Sequence, residues 1–150
     1  MHVRELGHIV LSVRDLKASS HFYGEVLGLR HVATMNGNSI FYAGEGGRTH
    51  HELLIQQVDD PNAQRGRIGL NHFAFKVGNS DEELKEVLVE LEQNGVKVKR
   101  VVDHGSVTHS AYMEDPDGNS VELYIDVQPE HWRYDPDRTV GKGGKPLVLA

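Results

Sequence analysis

The 150-residue sequence contains no cysteine. That removes disulfides, thiolate metal sites and cysteine nucleophiles together, and it fits a reducing compartment. No apolar run approaches membrane-spanning length. The opening Met1-His2-Val3-Arg4-Glu5 lacks the apolar core of a secretory signal, so a cytoplasmic location is expected. Excess basic charge is missing as well: the formal net charge is -6, which argues against nucleic-acid or anionic-membrane partners. No glycine-rich phosphate loop stands between a strand and a helix, since Gly141-Lys-Gly-Gly-Lys145 lies in the tail. No serine sits in a nucleophile elbow.

What is present is an ordinary globular composition, 38% hydrophobic and 25% charged, of a length that suits one domain. Ten histidines stand out. Histidine is the commonest metal ligand and acid–base residue, so their placement decides what they mean.

The pattern predicts strand, helix and three strands, twice. Leu6–Val13 is short, apolar and β-branched, hence a strand. Asp15 caps a helix running to about Leu27 and stopped by Gly28. Strands follow near 29–34, 38–44 and 49–58, with turns at Asn36-Gly37 and Gly46-Gly47. Residues 59–69 form a polar linker. The second half has a strand at Leu70–Val77 and a helix capped by Ser80 and Glu83, with Leu84, Val87, Leu88 and Leu91 as its apolar stripe. Asn94-Gly95 ends that helix, and strands near 96–102, 107–114 and 119–127 complete the half.

The expected organisation is therefore α+β. Two βαβββ modules, at about 4–58 and 70–127, form a curved, partly open mixed sheet within a domain spanning 1–127, and a tail covers 128–150. Within the tail, Trp132 and Tyr134 could anchor the segment on the body, and Gly141–Lys145 reads as flexible. Gly7-His8-Ile9-Val10 matches Asn71-His72-Phe73-Ala74 at an offset of 64 residues, and Glu52-Leu53-Leu54-Ile55 matches Glu122-Leu123-Tyr124-Ile125 at an offset of 70.

His8 and His72 are expected mid-strand at equivalent points of the two halves, sharing faces with Val10 and Ala74 respectively. The turn Asp115-Pro-Asp-Gly-Asn119 places Tyr112 opposite Glu122 in a hairpin with a three-residue loop. A glutamate between Val121 and Leu123 is costly to bury unless a cation meets it. Two histidines and a carboxylate form a facial metal triad with open positions, which suits non-haem iron(II) and also accommodates manganese, zinc or nickel. In the His50-His51 pair, strand alternation turns only one ring inward unless a bulge intervenes. His104 and His109 flank the strand carrying Tyr112. His2, His21, His31 and His131 read as surface residues, and Lys97, Lys99 and Arg100 as a solvated strand edge. Phe73, Phe75, Tyr124 and Trp132 are candidate pocket residues, with plain packing the stronger reading for each.

Through Leu6-Gly-His8-Ile-Val, Phe22-Tyr-Gly-Glu-Val-Leu-Gly28, Leu70-Asn-His72-Phe-Ala-Phe and Asp115-Pro-Asp-Gly-Asn119-Ser-Val-Glu122-Leu, the chain resembles the vicinal-oxygen-chelate superfamily. That superfamily includes glyoxalase I, extradiol dioxygenases and the bleomycin and fosfomycin resistance proteins. The chain looks most like the small one-domain extradiol dioxygenases. The resemblance implies a catechol-type aromatic diol and O2 as substrates, with iron held by His8, His72 and Glu122. It also implies His51 as acid–base, Tyr112 hydrogen-bonding a substrate oxygen, and His104 holding the deprotonated diol. Sheets of this superfamily often associate across chains, so a homodimer is expected, with the metal site built within one chain or shared between two.

Two alternatives stay open. Glu52, the repeat mate of Glu122, would complete the two-histidine, two-glutamate set of a glyoxalase I-type lyase or another metal-dependent member. If Glu52 faces the metal, His51 should point away. A non-enzymatic drug-binding protein of the same fold usually lacks the ligand triad.

Overall fold

The computed structural model describes residues 5–47, 49–60, 62–64, 70–140 and 143–149, leaving aside the side chains of Trp132, Pro136 and Asp137. It comprises two compact units, Met1–Ile68 and Gly69–Ala150. Residues 1–4, 48, 61, 65–69, 141, 142 and 150 lie outside the description, and with them most of the expected linker and His2.

In the first unit, β1 (Ile9–Val13), β2 (Arg30–Met35), β3 (Ser39–Ala43) and β4 (Leu53–Gln57) form a mixed sheet in the order β1-β4-β3-β2. β1 runs parallel to β4, and the other pairs are antiparallel. Alternation sends Leu11 and Val13 to one face with Leu53 and Ile55, all buried, and Val10 and Leu54 to the other. Helix α1 (Leu16–Ser20) is capped by Asp15, whose side chain accepts from the Ala18 amide at 3.0 Å. The expected single helix to Leu27 instead widens into a π-helical turn over His21–Val26, where Leu27 N–H donates to Phe22 O at 2.9 Å. The wider turn buries the adjacent Phe22 and Tyr23 together, which a 3.6-residue period spreads apart. Gly28, with φ +70°, leaves the helix as expected.

The second unit contains β5 (His72–Gly78), α2 (Asp81–Gln93), β6 (Arg100–Asp103), β7 (Thr108–Glu114), β8 (Ser120–Asp126), α3 (Pro129–Tyr134), α4 (Pro136–Thr139) and β9 (Lys145–Pro146). Its sheet order is β5-β8-β7-β6-β9, with β5 and β8 parallel. The capping box is in place: Ser80 Oγ accepts from the Glu83 amide at 3.3 Å and Glu83 Oε2 accepts from the Asn79 amide at 2.7 Å. Helix α2 buries Leu84 and Leu91, each worth about 1.5–3 kcal/mol of transfer free energy. The strand face turned to this core carries Phe73, Ala111, Met113, Val121, Leu123 and Ile125. Ser80→Ala is expected to cost about 1 kcal/mol in chemical unfolding, because the Glu83 amide then loses its acceptor.

The two modules form open mixed sheets of four and five strands, in keeping with the expected α+β fold. Both sheets follow the βαβββ plan, and the tail adds β9 to the second. Among the described residues no helix is long and apolar enough to cross a membrane. Tyr134 is 92% exposed and does not anchor the tail, since α3 leaves its ring in solvent. Trp132 and Gly141–Lys142 fall outside the description, whereas Gly143–Lys145 is held along β6.

Candidate metal centre

The two histidines expected mid-strand sit at strand starts instead. β5 begins at His72, and β1 begins one residue after His8. The ladder of β1 ends there because its partner β4 starts only at Leu53, after a bend at Thr49–His50; the Ile9 amide donates to Glu52 O at 3.0 Å.

That bend also explains why alternation does not govern His50 and His51: neither lies in a strand. Both rings lie near His8, yet only His51 is buried and His50 is exposed, so one ring of the pair turns inward as expected, although no strand alternation sets it. The His51 ring lies 4.3 Å from the His8 ring and 4.4 Å from that of His50, and meets Phe41 edge-on at 4.9 Å. One nitrogen each of His8, His50 and His51 lie within 4.8 Å of one another. His51 is buried, with Nδ1 2.5 Å from His50 Nδ1 and its buried Nε2 lacking a hydrogen-bond partner among the described residues. An orphaned buried ring nitrogen costs about 1–3 kcal/mol, a cost usually tolerated for function. Burial, then the neighbouring His8 and His50, lowers the pKa of His51, so its ring is neutral at pH 7.

Glu52 turns elsewhere. Its carboxylate accepts from the Gly44 amide. The ladders give a second reason. Ala74, the mate of Val10, pairs with Glu122, but Val10 itself pairs with Leu54. The place of Glu122 in the first unit therefore belongs to Leu54, and the sequence match of Glu52 with Glu122 is displaced by two residues in the fold.

In the second unit, Ala74, Glu122, Tyr112 and Arg100 occupy one rung across four strands, so their side chains share a face. The Tyr112–Glu122 pairing is the register that the hairpin loop implied; Gly118 takes φ +81° and the Asp115 amide donates to Asn119 O at 2.9 Å. Glu122 is 9% exposed. Its Oε2 lies 3.3 Å from His72 Nε2. Two ligands at about 2.1 Å from one ion and at right angles to each other are separated by about 3 Å, so this pair is spaced to share a cation. His72 Nδ1 stands 2.7 Å from Asn71 Oδ1, which places the ring proton on Nδ1 and leaves Nε2 free to ligate.

Tyr112 Oη is 3.0 Å from His104 Nε2, and the Tyr112 ring is 6.0 Å from that of His72. Burial, then the charge of Glu122, raises the Tyr112 pKa, so the phenol keeps its proton. Arg100 is exposed, as read in sequence, and its guanidinium also lies 4.1 Å over the Tyr112 ring, because β6 puts it directly opposite that residue.

The remaining candidates serve packing or solvent. Phe73 and Phe75 face away from His72, with Phe73 in the core and their rings 5.5 Å apart, whereas Tyr124 shares the Glu122 face. His109 ties α2 to the sheet: its Nδ1 is 2.5 Å from Asp81 Oδ1 and its Nε2 3.5 Å from Asp103 Oδ1. His21, His31 and His131 are exposed. In the first unit His50 joins His8 and His51, and in the second Arg100 joins Tyr112; the sequence reading, with a strand from 49 and a solvated edge at Arg100, gave neither a role.

The glyoxalase/bleomycin resistance protein/dioxygenase superfamily model matches residues 5–123. Biphenyl-2,3-diol 1,2-dioxygenase 3 of Rhodococcus globerulus is 33% identical across 97% of this chain and 80% of its own length. Catechol-2,3-dioxygenase of Bacillus subtilis is 31% identical across 87% of this chain, but this chain spans only 44% of that protein. Lactoylglutathione lyase of Escherichia coli O157:H7 is 32% identical across 77% of this chain and 88% of its own length.

Proposed function

Because the chain belongs to the glyoxalase/bleomycin resistance protein/dioxygenase superfamily, most of whose members are metal-dependent enzymes, we propose that it is an extradiol dioxygenase cleaving the ring of a catechol-type substrate with O2. The observation that carries this reading is the His104–Tyr112 pair beside the cation-spaced His72–Glu122 pair. An ion-pair site alone needs no such proton-handling neighbours. The proposed ligands are His8, His72 and Glu122, drawn from one chain or from two copies. Iron(II) held by these residues would supply the Lewis acidity and redox chemistry that bring a diol and dioxygen to react.

The protein's own groups handle the protons. His51, neutral through burial, accepts a proton at Nε2, which has no hydrogen-bond partner among the described residues. Tyr112, kept protonated, orders a substrate oxygen together with His104. The Glu122 charge, 9% exposed beside His72, would offset the charge of the cation and be stabilised by it.

The lyase reading needs Glu52 as a fourth ligand. The Gly44 amide already engages that carboxylate, and the register assigns its place to Leu54. Glu52→Gln is accordingly expected to change metal affinity by less than about tenfold, the low end of what even an outer-shell partner costs. Calorimetric titration with manganese(II) and with nickel(II) checks this. A far larger loss, together with nickel-dependent turnover of a methylglyoxal–thiol adduct, would establish the lyase instead.

A further inference from the structure

The tail strand β9 lies beside the proposed proton-handling pair. It pairs with β6 through Val102–Pro146 and Asp103–Lys145, and the Leu147 amide donates to Val101 O at 3.0 Å. Lys145 Nζ reaches Asp103 Oδ2 at 3.3 Å, one residue before His104. At the start of this segment Gly143 O stands 3.1 Å from His104 Nδ1. The next residue, Gly144, presses its backbone onto the same ring: a Cβ there would fall 2.5 Å from Val102 Cγ1, 2.8 Å from His104 Nδ1 and 2.9 Å from His104 Cε1. Side chains essentially never approach so closely, and Val102 is β-branched and stiff. Only glycine lets the tail lie on the imidazole.

A carbonyl oxygen can only accept a hydrogen bond. We infer that the tail is a positioning element for the site, in which the Gly143 carbonyl and the bare backbone of Gly144 fix His104 as its Nδ1–H tautomer with Nε2 turned to the Tyr112 hydroxyl. The Tyr112 O–H then donates to His104 Nε2, and the phenol oxygen faces the site as an acceptor. The phenol also faces Glu122. Whichever acceptor takes the phenol proton, the Gly143 carbonyl still accepts from Nδ1–H, so the tautomer does not depend on an ion at Glu122. A diol hydroxyl meeting Tyr112 finds a lone pair there. Its proton can pass to the phenol oxygen while the phenol's own proton passes to Nε2; one O–H bond breaks and re-forms on Tyr112, and one N–H bond forms on His104. The Nδ1–H bond to Gly143 O persists throughout, so the imidazolium stays in place and holds the diol anion.

The catalytic meaning of this device rests on the dioxygenase reading; the tautomer does not. The test is therefore the ring 1H–15N correlation spectrum of the full-length metal-free chain at about pH 8, above the ordinary histidine range. The His104 signals are assigned by their loss in His104→Gln. The wild type is expected to show the proton on Nδ1. In Gly144→Ala the other tautomer should grow to a comparable population, and kcat for a catechol should fall about 10- to 100-fold while KM changes far less. A wild-type ring protonated at Nε2 overturns the inference, as does a Gly144→Ala protein with unchanged tautomer and kcat. Should that variant fail to fold, the wild-type spectrum still decides. Absence of catechol turnover in the wild type counts against the dioxygenase reading alone.

Discussion

His51→Ala is expected to lower catechol turnover by about 10²–10⁴-fold, the range that a positioned acid–base group supplies. Iron affinity should stay nearly unchanged, because His51 is not among the proposed ligands. The effect is large because the ring is built for proton transfer: it is buried between a tilted His8 ring and an edge-on Phe41 ring, neutral, and its Nε2 has no hydrogen-bond partner among the described residues. The pH profile adds a sign. A base must be unprotonated, and the His51 pKa is lowered, so activity is retained as pH falls through about 6.5, the usual histidine value, and is lost only below it. The wild-type acid limb should disappear from the residual activity of the alanine variant. Stopped-flow absorbance of the ring-cleavage product across pH checks both statements. Loss of iron from His51→Ala would instead make the His8-His50-His51 cluster the metal site.

Glu122→Gln should weaken metal binding by more than about 100-fold, beyond the 10- to 100-fold typical of groups that only support a ligand. The amide keeps the volume and loses the charge. In the metal-free protein the same change should alter stability little, since the amide can still hydrogen-bond the polar neighbours of this position, His72 at 3.3 Å and the Tyr112 phenol. A purely structural His72–Glu122 pair gives the reverse pattern, with lost stability and unchanged metal affinity. Calorimetric titration and thermal melts on the same samples separate the two.

Much of this was legible from short-range chemistry. The Asp115–Asn119 turn fixed its hairpin's register, and from the register followed the facing of Tyr112 and Glu122. The Ser80–Glu83 box and the Leu84–Leu91 stripe defined α2, because caps and 3.6-residue periodicity are local signals. What escaped the sequence depends on partners far along the chain. The start of β1 at Ile9 follows from where β4 begins, about forty residues later. The two-residue displacement between Glu52 and Glu122 is invisible in a sequence match and appears only in the ladders. The π-helical turn over His21–Val26 lets two neighbouring aromatics share one core, a choice that packing makes against local propensity. The tail glycines look like a flexible linker until β6 and His104 are seen against them.

The central claim is tested most directly by reconstituting the protein with iron(II) under anaerobic conditions, adding a catechol, admitting oxygen and following the yellow ring-cleavage product. The account predicts product formation that requires both iron and oxygen and consumes about one O2 per catechol. Catechol left intact by the iron-loaded protein, with nickel or zinc conferring activity on a methylglyoxal–thiol adduct, would contradict it.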